Sequence, residues 1–443
     1  QLKSGAKYVA GVLLGCAAWR AAPGAEAVQT GLVGFGGGMH GAQASTALGM
    51  GAAMRNPAAG GLLLGAGGFR AGIVSLGNIG LEFGPVDNFD DEINDLEDEL
   101  DRDNVTQQEA EAALAHFNPL LKKIGDAAYF NLEVVQELPV TPMLFRAFGG
   151  VIGVNAGIDA KAKFSILDAP LTYDSNSEEL NSDTAAYIRS GVFLGAGVSY
   201  SRPLPAFAWL PGNLRWGVRG HVAQGRLRKQ VVALEDEDDD ESGDSASERI
   251  ADNYDANEKS STGFGLDAGV VWEIGGSHLG FMARNLIAPE FEFGAIGVNC
   301  GSISDPGKQA DCQAAQNFAG EVKSHETFRD KTQMTVEGVL RPGDSGWSLG
   351  AALDLNATES ALGDEYQWLS ASAGYATPHF WLPGFVVSYR KNLAGSELSY
   401  LGAGITLLGY FRLDVGVSTD KAKVDGDALP RSGMINLGFA MPL

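Results

Sequence analysis

Positive charge is scarce in this chain of 443 residues: 32 Lys and Arg stand against 55 Asp and Glu, a formal net charge of −23. A phosphate backbone is held by clustered Lys and Arg, so the deficit excludes nucleic acid as a partner. Cysteine is rarer still, at Cys16, Cys300 and Cys312 alone, too few for a cysteine-built zinc module. The six histidines, His40, His116, His221, His278, His325 and His379, contain no HExxH and no close pair. They give no reason to expect a metal site or a cofactor, and each reads as a surface or lumen residue. Beyond the first 27 residues no apolar run approaches the ~20 residues that a membrane-spanning helix needs.

Catalytic constellations are missing too. Gly343-Asp344-Ser345-Gly346 looks like the nucleophile segment of trypsin-like serine proteases, but it follows Arg341-Pro342 and no His and Asp can be placed as its partners, so a tight turn is the simpler account. Gly301 to Lys308 resembles a phosphate loop, with five residues between its glycines where four are required. Nothing points to an enzyme.

What is present begins with a targeting pattern. Lys3 and Lys7 precede an apolar run from Tyr8 to Trp19, and Ala25-Glu26-Ala27 offers a small-x-small cleavage site, so residues 1–27 read as a signal peptide. Leu13-Leu14-Gly15-Cys16 leaves open a second reading, lipoprotein processing with Cys16 acylated. Export to an oxidising compartment would permit a loop disulfide between Cys300 and Cys312, the alternative being two free thiols.

The mature chain then shows segments of about ten residues with alternating character, the pattern of membrane strands that expose one face to lipid and the other to a lumen. In the last of them Ile435, Leu437, Phe439, Met441 and Leu443 alternate with Asn436, Gly438 and Ala440. Similar segments lie near 65–76, 126–136, 142–167, 184–203, 213–233, 262–274, 278–287, 326–341, 346–358, 366–377, 384–392, 397–408 and 409–419, which makes about 14 strands. Pro203, Pro211-Gly212-Asn213, Pro342-Gly343-Asp344 and Pro383-Gly384 punctuate them. Backbone amides in lipid need internal partners, so such strands span only as a closed antiparallel barrel, and the expected class is an all-β transmembrane barrel over residues 65–443. Tyr200, Trp209, Trp216, Trp368, Tyr375 and Trp381 fall near inferred strand ends, as aromatic girdles would.

Two segments break the pattern. Residues 87–124 read as a helical insertion in a loop: Ile93, Leu96 and Leu100 share one helical face, Thr106 and Glu109 make a capping box, and a helix over 107–124 carries Leu114, Phe117 and Leu121, with Gly125 as its stop. The other is an acidic loop over 235–261, opened by an unbroken acidic run from Glu235 to Glu241. Such a block resists compaction, and it lacks the spacing of a calcium loop.

Gly36-Gly37-Gly38-Met39-His40-Gly41-Ala42 through Arg55-Asn56-Pro57-Ala58-Ala59 resembles the start of the FadL-like outer-membrane superfamily of long-chain fatty-acid transporters. The strand series and acidic insertion look most like its barrel-type conjugal-transfer TraF branch. The resemblance implies an N-terminal hatch inside a 14-stranded barrel, here residues 28–64, with hydrophobic molecules leaving sideways through a gap in the wall. Gly49, Gly51, Arg55, Asn56, Pro57 and Ala58 are the implied hatch and ligand residues; small residues let the backbone pack closely and Pro57 fixes a turn. Arg55 stands where the family has an aromatic residue. The implied setting is the bacterial outer membrane, with its lipid as partner. Two functions follow: passive uptake of a hydrophobic small-molecule ligand such as a long-chain fatty acid, or a non-enzymatic part of a conjugal-transfer or secretion assembly that docks a protein partner through loops near Leu114 and Phe117.

Overall fold

The computed structural model describes residues 31–33, 40, 55–64, 67–71, 74–85, 96, 99, 102, 105–138, 141–205, 209, 211–233, 257–343, 345–377, 379, 381–408, 411–424 and 427–439. The first five strands are β1 (Phe69–Ala71), β2 (Val74–Phe83), β3 (Tyr129–Glu137), β4 (Met143–Ala147) and β5 (Gly150–Leu167). From β2 the ladder runs through β3 and β5 to Ala185–Pro203 and on through ten further wall strands to Ser432–Phe439, which pairs with β2 and closes a 14-stranded antiparallel ring. Closure leaves the ring without a free edge, the only way strands satisfy their amides in lipid.

Burial along the wall is inverted relative to a soluble protein. In Ser432–Phe439, Asn436 is 4% exposed while Ile435 is 40% exposed. The same parity buries Thr335, Glu337, Ser388, Arg390 and Asp414 and exposes Met334, Val336, Val387, Tyr389, Val415 and Val417. Exposed apolar surface costs about 25 cal/mol per Å² in water. A continuous outward apolar belt around a polar interior is therefore stable only where the surround is lipid, and the protein is a barrel of the bacterial outer membrane.

Connections alternate in length. At one end the turns are short, as at Phe148–Gly149 and Gly275–Gly276; at the other lie 84–128, 168–184, 234–258, 288–332 and 419–431. Most acidic residues fall in these long connections. Aromatic pairs gather at the short-turn end: Tyr200 and Trp216 have ring centroids 5.9 Å apart, and Trp347 and Phe385 5.7 Å apart. Trp209 and Trp381 are exposed there. Trp368 departs from the girdle reading; its parity is that of Ser370 and Ser372, and it faces the lumen, buried.

The insertion helix spans Gln107–Ala127 with Thr106 as N-cap in a reciprocal capping box. It passes Gly125 without stopping. A Cβ at Gly125 would lie 1.8 Å from the Asp168 carboxylate, so the glycine admits a neighbouring loop and does not end the helix. Phe117 and Leu121 pack with Leu96, Val105, Leu171 and Leu180 inside the loop layer, and Leu114 is partly buried against them, which withdraws them from the docking role expected of exposed apolar residues. Two further boundaries differ from the sequence reading. The segment 142–167 is a hairpin, β4 and β5, turning at Phe148–Gly149, and the stretch beyond the acidic run becomes strand at Lys259 because Lys259–Glu273 pairs with Leu227–Asn213. Residues 234–256 and most of 87–103 lie outside the described residues.

Candidate functional site: hatch and wall break

Asn56 is the pivot of the inner layer. Its Oδ1 accepts from Ala58 N at 3.0 Å and caps the short turn Pro57–Ala59, while its Nδ2 donates to Val270 O at 3.4 Å and Phe281 O at 3.3 Å on two adjacent wall strands. A short polar side chain at an N-cap satisfies an otherwise orphan amide; here the same side chain also fastens the turn to the wall. The wall is cut to receive it. A Cβ on Gly269 would sit 2.1 Å from Asn56 Oδ1, and one on Gly217 2.5 Å from the Pro57–Ala58 backbone. Pro57 and Ala58 are buried. Arg55 and Asn56, with Met282, Thr335 and Glu337, line a cavity of about 10 Å³, the room one water molecule takes. Gly49 and Gly51 lie outside the described residues.

After the turn, the helix Gly60–Leu64 lays Leu64 against Leu144 and Val151 of β4 and β5. Arg70 Nη1 donates to Leu63 O at 2.8 Å. Beside this contact the wall is interrupted. The β2–β3 ladder ends at Asn78–Val135, and pairing resumes between β1 and β4 at Ala71–Met143. On the other edge, Glu137 pairs with Gly157 and Met143 with Val154, so five residues of one strand stand against two, Asn155 and Ala156, of the other, and Leu138 N donates to Ala156 O at 2.9 Å. Thr141 Oγ1 ties the excursion down, donating to Leu138 O at 2.6 Å and Ala156 O at 3.0 Å.

The lumen above is occupied. Residues Gly31–Val33 cross it: Leu32 N donates to Glu133 Oε2 at 2.5 Å, Arg390 Nη1 to Leu32 O at 2.9 Å, and Trp368 Nε1 to Gly31 O at 3.2 Å. The Arg390 guanidinium stacks on Trp368, 3.3 Å from its ring centroid. Lys161 Nζ meets Glu133 at 3.0 Å and Asp159 at 3.2 Å. His40 is wholly buried between Ser388 Oγ, 2.7 Å from Nδ1, and Asp414 Oδ1, 2.9 Å from Nε2. Buried charges are tolerated when paired in this way. Nearer the long loops, Phe193, Phe291, Phe293, Phe328, Leu227 and Ala361 fill the section with apolar side chains, the Phe193 and Phe291 rings 5.2 Å apart.

The long-loop end carries a larger cavity, about 350 Å³, lined by apolar side chains such as Val231, Ile296, Val298 and Ile303 and by the polar Gln230, Asn257, Lys308 and Asp311. Cys312 is bridged to Cys300, with Cα atoms 5.4 Å apart, so the disulfide fastens the helix Pro306–Asn317 across the cavity wall. The sequence singled out Asn56, Pro57 and the two cysteines, and gave no sign of the break, the lumen latch at Glu133 and Arg390, or this cavity. No group of ligating residues able to hold a metal occurs among the described residues.

A sequence-family profile described as F plasmid transfer operon, TraF, protein matches residues 53–354. None of the curated proteins matches the chain in sequence. Among solved structures, the chain is similar to the TodX deltaS2S3 mutant monoaromatic hydrocarbon channel at 10% identity and a TM-score of 0.43, over 88% of this chain and 93% of that one. A FadL homologue of Pseudomonas aeruginosa is similar at 11% identity and a TM-score of 0.42, over 94% and 98%. The toluene transporter TodX of P. putida gives 10% and 0.38, over 88% and 94%.

Proposed function

We propose, for a chain that belongs to the F plasmid transfer operon TraF protein family, that the barrel passes hydrophobic small molecules sideways between lumen and lipid through the break in pairing between Glu137 and Met143. The observation that carries this reading is the position of the hatch. Leu64 packs on Leu144 and Val151 immediately beside the interrupted ladder, so the hatch covers the break from within. An apolar solute gains nothing from a watery pore and about 0.8 kcal/mol per methylene from an apolar path. A lumen crowded with side chains, opened at the wall by a small hatch movement, suits such a solute. It does not suit a polar one.

The cavity at the long-loop end supplies an apolar first station, and short turns in outer-membrane barrels face the periplasm with the longer loops outside, which puts that station on the outer surface. Residues 28–64 act as the hatch. Native mass spectrometry with lipid extraction, on protein purified from outer membranes, tests the proposal. A co-purifying apolar molecule, lost when Leu144 is replaced by a bulkier Trp, supports it. An empty barrel contradicts it.

The occupied lumen and the family itself favour a second reading, an assembly component that holds a protein partner on its acidic outer loops. An empty barrel that retained such a partner in the same experiment would select it.

A further inference from the structure

Most buried polar groups of the lumen are paired; among the exceptions, Glu137 and Asn155 stand together at the break. Glu137 is 8% exposed, yet among the described residues its Oε1 has no hydrogen-bond partner; Asn155 is 4% exposed, and its Nδ2 has none among them either. Glu137 pairs across the ladder with Gly157, which has no side chain, and Asn155 and Asp159 are the next lumen-facing residues on either side of Gly157. Diagonal neighbours of this kind lie within about 7–8 Å. The nearest cation on this stretch, Lys161, is already shared between Glu133 and Asp159. On these two strands three carboxyl groups thus stand with one ammonium; Arg219, which comes close to Asn155 from the neighbouring wall, is paired with Asp267 at 2.6 Å, and residues 34–54 contain no Lys or Arg.

A carboxylate buried without a partner is costly, and natural structures leave such a group unsatisfied where something else completes it. We propose that Glu137 and Asn155 form a binding site for the polar end of an amphiphilic amine, its ammonium held by Glu137 and its hydrocarbon tail leaving through the break toward lipid. The inference rests on the lateral-passage reading and narrows its substrate class. A protonated amine brings the missing positive charge and three donors. A fatty-acid carboxylate would add a fourth negative group and is selected against.

The test compares dodecylamine, dodecanol and dodecanoate, one chain length with three head groups, titrated at pH 7 into the full-length protein in non-ionic detergent and followed by native mass spectrometry. The amine is expected to bind about tenfold or more tighter than the carboxylate, the range set by hydrogen bonds to charged groups. Glu137→Gln is expected to abolish most of that preference while all three chains still bind. Asn155→Asp, which adds a carboxylate beside the first, is expected to increase it. If the carboxylate binds as tightly as the amine, or Glu137→Gln keeps the preference, the amine site is refuted and lateral passage of apolar chains stands. If none of the three binds the wild type, both fail.

Discussion

Asn56→Ala tests whether the hatch is held as described. The substitution removes one capping bond, worth about 1 kcal/mol. It also removes two bonds to wall carbonyls whose lengths, 3.4 and 3.3 Å, put them at the weak end of the range, about 0.5 kcal/mol each. Together these make about 2 kcal/mol, or roughly thirtyfold in the equilibrium between docked and undocked turn. Hydrogen exchange reads that equilibrium. The Ala58 amide donates to Asn56 Oδ1, and the Ala59 amide to Asn56 O at 3.0 Å; both should exchange about thirtyfold faster through local opening. Ladder amides between Phe411–Ser418 and Ser432–Phe439 should not change. Gly269→Ala attacks the same bond from the wall, because its Cβ would lie 2.1 Å from Asn56 Oδ1, and should speed the same two amides. Asn56→Asp keeps the cap but turns a carboxylate oxygen toward Val270 O and Phe281 O, so it should loosen the turn further than Asn56→Ala. Unchanged protection at Ala58 and Ala59 in all three variants would refute the pivot.

The capping box of the insertion helix should be pH-sensitive. The Thr106 hydroxyl, then the Thr106 amide and Arg102, hold the Glu109 carboxyl below its ordinary value, so the stabilisation is present above the usual carboxylate range and is lost as pH falls through the lower folded value. Hydrogen exchange over Gln107–Ala127 should therefore rise on acidification below about pH 4, and Thr106→Ala should flatten the response; a pH profile unaltered by Thr106→Ala would contradict it. Replacing Cys300 and Cys312 by Ser opens a short loop of 12-residue separation, for which chain entropy predicts about 3 kcal/mol. Proteolysis within 298–318 should accelerate while the barrel's unfolding temperature holds; an equal loss of barrel stability would mean that the loop is integral to the wall. Val387, 53% exposed at the middle of Gly384–Asn392, faces lipid, and Val387→Arg should cost about 2–4 kcal/mol, read as a fall in the folded fraction on heat-modifiability gels. A neutral result would place that face in water.

The barrel was legible because its signal is periodic. Alternation across Ile435, Asn436 and Leu437 survives any error in strand ends, and burial in the structure follows that parity. The Asn56-Pro57 turn was legible because an N-cap residue before proline has local chemistry. Trp368 misled because nearness to a strand end was weighed above parity. The break was hidden for a related reason. Residues 142–167 keep their alternation through the turn at Phe148–Gly149, and the one local clue, Pro142 in a strand-like run, reads as a strand start as easily as an interruption. Glu137 and Asn155 look in sequence like ordinary lumen-facing residues. That Glu137 Oε1 and Asn155 Nδ2 lack partners among the described residues depends on which strands converge there, which no local pattern encodes. Gly125 was assigned to a helix end when it serves a contact with Asp168, 43 residues away in sequence.

The most direct test of lateral passage is to lock the hatch. Leu64 and Leu144 already pack together beside the break, and cysteines at both positions, in a background with Cys300 and Cys312 replaced by Ser, would join hatch to wall on oxidation. Uptake of a radiolabelled apolar solute by cells expressing the locked barrel should fall to the level of cells without it and return on reduction. Uptake that proceeds unchanged through the oxidised, demonstrably cross-linked barrel would contradict the account.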